Sequence, residues 1–140
     1  MIGFIIGLIV GELAAFLVFA FGSANKEPKP PGKKLVYIAS PYRGDRKRNL
    51  RKAEKYTRAA LDAGAIPITP HLFYSTVLND DNPEQRERGM AAGTALLLRC
   101  DEVWAFGEPS EGMKAEIAAA EQAKIPVKYH SEAGGRKGEA

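Results

Sequence analysis

Two short segments of this 140-residue sequence combine residue types that could bind and transform a small molecule. The first, YIASPYRG at residues 37–44, joins an apolar run to a stretch that reads as a helix start. Backbone N–H groups at a helix start, together with the guanidinium of Arg43, would form an anion site. Ser40, Arg43 and Gly44 are therefore candidate ligand contacts. The alternative is a hydrated loop in which Arg43 is one of many surface cations.

The second segment is GEPSEGMKAE at residues 107–116. Ser110 is expected to cap a helix, and Gly112 and Glu116 are four residues apart, so they share a face of that helix. A glycine one turn before a carboxylate leaves room for a ligand to reach it, and the helix dipole favours ionised Glu116. Glu116 is thus a candidate nucleophile or base. The alternative is a solvent-facing glutamate in a helix rich in Ala and Glu.

Other polar or aromatic residues allow simpler interpretations. His71 would either stack on a base or lie on the surface. The polar run at residues 79–81 resembles a metal-binding run, but it is better explained as a turn that leads into the cap of the next predicted helix. Asp101 precedes a strand and is expected to be structural, and Trp104 is expected to lie in the core.

These segments must be positioned by strands that alternate with helices. The sequence predicts strands at residues 35–39, 66–68, 102–106 and 125–129, helices at 46–63, 82–99 and 111–123, and an irregular stretch at 71–81. This alternation predicts an α/β fold: a small doubly wound, Rossmann-like or flavodoxin-like parallel sheet. Ligands bind beyond the carboxyl ends of such strands, which points to residues 40–45, 70–74 and 107–116.

Composition excludes several classes of site. One cysteine and two histidines leave no internal disulfide framework and no His- or Cys-based metal cluster, so we expect neither a metal nor a cofactor. The segment up to residue 34 carries four lysines and two glutamates, so the remaining 106 residues have a net charge of only about +1 out of the total +3. Nucleic-acid binding is therefore not expected.

The N-terminal segment, residues 2–21, has 16 apolar side chains, three glycines and one charge, Glu12. At about 1.5 Å per residue a helix of this length would cross a bilayer, so we predict a transmembrane helix at residues 1–22. A cleaved signal peptide is the alternative. Lysines follow this segment and none precedes it, which predicts a single-pass protein of the inner (cytoplasmic) membrane with its C-terminal domain in the cytoplasm.

Within this segment Gly3, Gly7, Gly11 and Ala15 form a stripe of small residues, which favours self-association of membrane helices. The alternative is that membrane helices simply tolerate glycine at these positions. Residues 23–34 carry three prolines and four lysines and predict an extended tether beside lipid headgroups. A domain at residues 35–130 and a frayed tail at residues 131–140 complete the predicted organisation.

The domain resembles the nucleoside 2-deoxyribosyltransferase superfamily, most closely a phage- and bacteria-associated group within it. The resemblance rests on YIASPYRGD near the start, GAIPITPHLFY in the middle and LLLRCDEVWAFGEPSEGMKAEI near the end, and it covers about 95 residues. It implies the fold described above, a nucleoside or nucleotide as the small-molecule partner, and a homo-oligomer.

The resemblance also implies roles for individual residues. Glu116 matches the glutamate that attacks C1′ of a deoxyribosyl group, and Tyr37 matches the tyrosine that holds this carboxylate. Ser110 and Arg43, with Gly44 following, match phosphate contacts of members that act on deoxynucleoside 5′-monophosphates. His71 matches a base-side histidine.

One position departs from the pattern that the resemblance implies. Active members carry an aspartate on the helix before the third strand, and counting back from Asp101 places that position at or near Gly93. Without it, Asp80, Asp81 or Glu87 would have to substitute, turnover would be slow, or the protein would bind without reacting.

Three classes of function follow. The first is a membrane-tethered N-glycosidase or deoxyribosyltransferase that uses Glu116 on a deoxynucleoside or its 5′-monophosphate. The second is a nucleotide-binding sensor without turnover, and the third is a scaffold that docks another protein at the membrane.

Overall fold

The computed structural model describes residues 32–134. Four strands, β1 to β4, span Leu35–Ala39, Ile66–Ile68, Glu102–Phe106 and Val127–His130. Four helices, α1 to α4, span Arg46–Asp62, Pro70–Tyr74, Pro83–Leu97 and Glu111–Gln122. The predicted α/β alternation is confirmed.

The strands form one parallel sheet with the order β2-β1-β3-β4. Strands β1 and β3 pair at the centre, with Ala39 opposite Ala105. The loops that follow them, which hold the two segments with candidate chemistry, therefore leave the sheet side by side. The topology alone brings residues from the two halves of the domain to one edge.

Polar side chains fix the start of each long helix. Asp45 accepts from the Arg48 amide at 3.0 Å and Asn82 from the Gln85 amide at 3.0 Å. Ser110 accepts from the Met113 amide at 3.3 Å, as expected of an N-cap. The three predicted helix starts are thus confirmed.

The segment at residues 71–81 is not wholly irregular, because Pro70–Tyr74 forms the short helix α2. Pro70 occupies the first helical turn, where its missing N–H and fixed φ favour a helix. The prediction was wrong because the segment has too few residues to show helical periodicity. Strand β4 spans Val127–His130 and so begins two residues later than predicted, since the Ile125 amide still donates to the Ala120 carbonyl within α4.

Alternate side chains of the central strands enter cores on opposite faces of the sheet. On one face Tyr37 and Val103 pack with Leu97 of α3 and Met113 of α4. On the other face Val36 and Ile38 pack with Tyr56 and Ala60 of α1 and with Phe106. Helices thus cover both faces, and the two-residue period of β1 assigns Tyr37 to the side of α3 and α4.

Asp101 has the structural role predicted for it, whereas Trp104 packs against the core as predicted but is not fully buried. Asp101 accepts from the Leu35 amide at 2.7 Å and donates its own amide to the Leu35 carbonyl at 2.7 Å, so it joins the start of β1 to the start of β3. Trp104 packs against the core on the α1 face but is only partly buried, and its Nε1 donates to Glu102 at 2.9 Å.

The predicted membrane helix at residues 2–21 lies outside the described residues, as do most of the tether and tail. Within residues 32–134 no helix is both long and apolar enough to cross a bilayer. The anchor therefore stays a prediction.

Adjacent leucines at the end of α3 provide a matched test of the core beneath the central strands. Leu97 is fully buried, whereas Leu98 is 51% exposed. Leu97→Ala should lower the free energy of unfolding by about 2–5 kcal/mol because it removes buried apolar contacts and leaves a cavity. Leu98→Ala should change it by less than about 0.5 kcal/mol. Urea unfolding measures both, and equal losses would contradict the assigned core.

Candidate active site

The central feature of the candidate site is a hydrogen bond between Tyr37 and Glu116. Tyr37 Oη of β1 donates to Glu116 Oε1 of α4 at 2.7 Å. Glu116 lies in the second turn of α4, on the helix face that looks toward the sheet. The strand fixes the phenol and the helix fixes the carboxylate, so neither group depends on a loop for its position.

Two side-chain oxygens of this region lack a hydrogen-bond partner among residues 32–134. They are Glu116 Oε2 and Ser40 Oγ, and both atoms are buried. Ser40 as a whole is only 1% exposed. Because unpaired buried polar atoms are costly, they indicate a place where another molecule supplies the partner.

Both atoms belong to residues that line one cavity of about 410 Å³. The cavity lies at the carboxyl ends of β1 and β2, between the facing sides of α3 and α4. Its volume is within the range of small-molecule sites in proteins. Seven of the eight predicted site residues line it: Tyr37, Ser40, Arg43, His71, Ser110, Gly112 and Glu116.

Gly44, the eighth predicted residue, is not among the residues that line the cavity. Its φ of +91° allows the chain to turn from Arg43 into the cap residue Asp45, a conformation that favours glycine. Its position therefore indicates a role in the turn, not in contacting a ligand.

Burial sets the protonation of the central pair. It raises the pKa of Glu116 from 4.5 to about 7, while the hydrogen bond from Tyr37 acts in the opposite direction. The pKa of Tyr37 is raised, first by burial and then by the neighbouring Glu116 charge. At neutral pH the phenol is therefore a hydrogen-bond donor, and Glu116 is close to the midpoint of its titration.

His71 lies in α2 and not in a loop. Its Nε2 is 3.0 Å from the Ser40 carbonyl oxygen, and since a carbonyl only accepts, Nε2 carries the hydrogen. The ring stacks on Tyr42 with a centroid distance of 5.0 Å and an angle of 17°. Burial lowers the pKa of His71, so the neutral ring presents Nδ1 as an acceptor.

Arg43 reaches the cavity but is already paired. Its Nε donates to Asp80 Oδ2 at 3.0 Å, and Arg86 Nη1 donates to the same carboxylate at 3.0 and 3.1 Å. All three residues line the cavity. A phosphate at this position would therefore meet a guanidinium that already has a counter-ion.

Gly93 of α3 lies beside the Tyr37 phenol. A Cβ added there would be 3.3 Å from Tyr37 Oη, so the glycine leaves the phenol its space. Of the three carboxylates considered as substitutes for an acid at this position, Asp80 lines the cavity, whereas Asp81 and Glu87 do not. Asp80 accepts hydrogen bonds from Arg43 and Arg86 and lies 3.8 Å from Arg46, so its carboxylate already has charged partners.

The sequence did not single out several residues that line the cavity, among them Tyr42, Arg86 and the α3 residues Gly89 and Met90. Spacing is the signal that was available for α3: residues 86, 89, 90, 93 and 94 fall on one helical face, two of them glycines. For metals, no group of three His, Cys, Asp or Glu residues within the described part of the chain is placed to hold an ion.

The raised pKa of Glu116 leads to a prediction about stability. The folded chain binds this proton more tightly than the unfolded chain, so the stabilisation is present at low pH and is lost as the pH rises. From pH 4.5 to pH 7 the free energy of unfolding should fall by up to about 3 kcal/mol through this group. Glu116→Gln should remove that decline, as measured by urea unfolding across the interval.

Glu121, which is exposed on the same helix, supplies the matched control. Glu121→Gln should keep the decline of the original chain. A Glu116→Gln chain that loses stability as steeply as the original would show that the buried carboxylate titrates normally.

Comparison with solved structures shows the same fold in two bacterial proteins. One is a 2-deoxyribosyltransferase from Bacillus psychrosaccharolyticus, with a TM-score of 0.58 and 18% identity over 69% of this chain and 72% of that one. The other is a conserved protein from Enterococcus faecalis V583, with a TM-score of 0.50 and 20% identity over 70% of this chain and 63% of that one. At these identities the likeness concerns the fold.

No curated protein matches the sequence significantly. A family model described as a domain of unknown function (DUF7768) matches residues 34–130. Because the match covers well over half of the chain, the protein belongs to the DUF7768 family.

Proposed function

We propose that the domain is a nucleoside N-glycosidase or deoxyribosyltransferase in which Glu116 is the nucleophile. One observation carries the proposal: Tyr37 holds Glu116 Oε1, while Oε2 is buried without a partner at a cavity of about 410 Å³. The fold shared with a 2-deoxyribosyltransferase supports a nucleoside as the substrate.

In the first step Oε2 attacks C1′ of the sugar from the face opposite the base. The C1′–O bond forms as the bond from C1′ to the base nitrogen breaks, and the base departs with that electron pair and takes up a proton. The Tyr37 hydrogen bond keeps Oε1 oriented and leaves Oε2, which has no partner among residues 32–134, as the attacking oxygen.

In the second step water or an incoming base attacks C1′ from the face that the first base left. The ester bond to Glu116 breaks, the carboxylate is restored, and two inversions give overall retention. Water as the acceptor makes the enzyme a glycosidase, and a second base makes it a transferase.

On the base side we assign Tyr42 and His71. Their stack forms one wall of the cavity, and Nδ1 of neutral His71 can accept a hydrogen bond from an exocyclic or ring N–H group of a base. On the sugar side Ser40 Oγ, which is buried and has no partner among residues 32–134, would donate to or accept from a hydroxyl of the deoxyribose.

A second candidate function is a nucleoside- or nucleotide-binding sensor without turnover. The observation in its favour is Gly93, which carries no side chain where the resemblance implies an acid. Without an acid at that position to protonate the departing base, turnover would be slow.

The proposal also places the protein at a membrane. Residues 2–21 would anchor it and residues 23–34 would tether the domain on the cytoplasmic side, with self-association through the anchor or the domain.

Removal of the nucleophile tests the enzyme directly. Glu116→Gln should reduce the release of free base from deoxynucleosides by roughly a thousandfold or more, because an amide neither attacks C1′ nor forms the ester. Chromatography of the reaction mixture measures the free base. Glu121→Gln, on the same helix but away from the cavity, should retain the original rate.

Two outcomes decide between the candidates. Base release that survives Glu116→Gln would refute the assigned nucleophile. Binding of a deoxynucleoside with no base released by either the original chain or the control variant would instead select the sensor.

The pH dependence gives a separate check. Glu116 must be ionised to attack, and its pKa is raised to about 7 by burial. The rate of base release should therefore rise about tenfold per pH unit in the acidic limb and level off above pH 7. A rate that is already constant from about pH 5 upward would mean that the nucleophile has the pKa of an ordinary exposed carboxylate, which would contradict a buried nucleophile.

A further inference from the structure

One side of the cavity is lined by a cluster of charged residues in which a carboxylate lies between guanidinium groups. Asp80 accepts hydrogen bonds from Arg43 of the loop after β1 and from Arg86 of α3, at distances of 3.0 to 3.1 Å. We call these three residues the Asp80 cluster. The Asp80 side chain is only 18% exposed, whereas that of Arg43 is 59% exposed.

The loop that carries Asp80 is fixed by its own hydrogen bonds. The Asn79 amide donates to Gln85 Oε1 at 2.7 Å, and the Asp81 amide donates to Asn79 Oδ1 at 3.0 Å. The Asn82 amide donates to the Asn79 carbonyl at 3.1 Å. These hydrogen bonds on both sides of Asp80 fix the loop in the conformation in which the Asp80 carboxylate contacts the arginines.

The neighbouring Asp81 has a different surrounding. It pairs with Arg46 through two hydrogen bonds of 2.6 and 2.9 Å, its side chain is 67% exposed, and it does not line the cavity. Arg46 also comes within 3.8 Å of Asp80 Oδ2, but it does not line the cavity. Of the two aspartates, only Asp80 therefore stands between arginines that line the cavity.

A carboxylate between two guanidinium groups occupies the position that a phosphate oxygen would otherwise take. A 5′-phosphate carries about two negative charges at neutral pH, so it would either displace Asp80 or lie beside it against Coulomb repulsion. An uncharged nucleoside meets neither obstacle, since it carries no charge for Asp80 to repel and needs no guanidinium partner.

We propose that Asp80 is a built-in counter-ion that determines specificity: by occupying donors of Arg43 and Arg86 and offsetting part of their positive charge, it makes the cavity select uncharged nucleosides over their 5′-monophosphates. This inference rests on the proposed function for the identity of the ligand. It names the substrate class of that site and assigns Asp80 a role in selection, not in proton transfer.

Binding measurements on the full chain test the proposal. Isothermal titration with the deoxynucleosides, their 5′-monophosphates and inorganic phosphate would be carried out in a Glu116→Gln background, where turnover does not interfere. Asp80→Asn should raise the affinity for monophosphates and for inorganic phosphate about tenfold, and should leave nucleoside affinity within about twofold. Asp81→Asn, with the same change of charge, should alter each of these affinities by less than about twofold, because the arginine it releases, Arg46, does not line the cavity although it lies 3.8 Å from Asp80.

A double variant checks which group captures the phosphate. Adding Arg43→Gln to Asp80→Asn should abolish the gain, because the freed guanidinium is then missing. Should Asp80→Asn fold poorly, as its melting temperature would show, Asp80→Ser removes the same charge with a smaller side chain.

Three results would overturn the proposal. Weaker phosphate binding in Asp80→Asn would mean that Asp80 organises an anion site instead of filling it. Equal gains in the Asp80 and Asp81 variants would indicate a general charge effect, and a preference of the unaltered Asp80 site for monophosphates would contradict the selection itself. Inorganic phosphate separates this inference from the proposed function: a gain for phosphate in Asp80→Asn supports the counter-ion even if no nucleoside binds, and that second result counts against the proposed function alone.

Discussion

The buried hydrogen bond between Tyr37 and Glu116 is the constraint on which the site depends. Burying a carboxylate is costly, and here a single donor contacts one of its two oxygens while the other stays unpaired. The fold tolerates this arrangement because Glu116 can take up a proton near neutral pH. The same burial that makes the group expensive also removes the water that would otherwise compete for Oε2.

The parallel sheet explains why this pair can form from residues 79 positions apart. Strands β1 and β3 are neighbours, so the loop after β1 and the helix after β3 start from one edge. Tyr37 enters the core on the face covered by α3 and α4, and α4 starts at its cap Ser110 at the height of the cavity. Local rules for strand alternation and helix capping therefore have a long-range consequence for the site.

Much of this arrangement was accessible from the sequence. Apolar runs predicted the bounds of β1, β2 and β3, and cap residues predicted the starts of three helices. The strand-end rule pointed to six of the seven candidate residues that line the cavity, and the family resemblance supplied the seventh, Tyr37. The short helix α2 was not predicted because its five residues are too few to show a helical repeat of apolar side chains. The pairing of Arg43 with Asp80 escaped because it joins separate loops, and no pattern along the chain encodes a contact between side chains 37 positions apart.

Strand β1 has a further consequence, because it serves both sides of the cavity. Tyr37 within the strand holds the carboxylate, and three residues later the Ser40 carbonyl holds the His71 ring. A displacement of β1 would move Tyr37 and the Ser40 carbonyl together. The spacing between the two ends of the binding site is therefore set by this one strand. Variation that re-tunes ligand choice without loss of this spacing has to come from the opposite wall, at lining residues of α3 such as Met90 and Thr94, because Gly89 and Gly93 have close neighbours that leave little room for a side chain. One wall of the cavity is thereby fixed by the fold, and parts of the other can diverge.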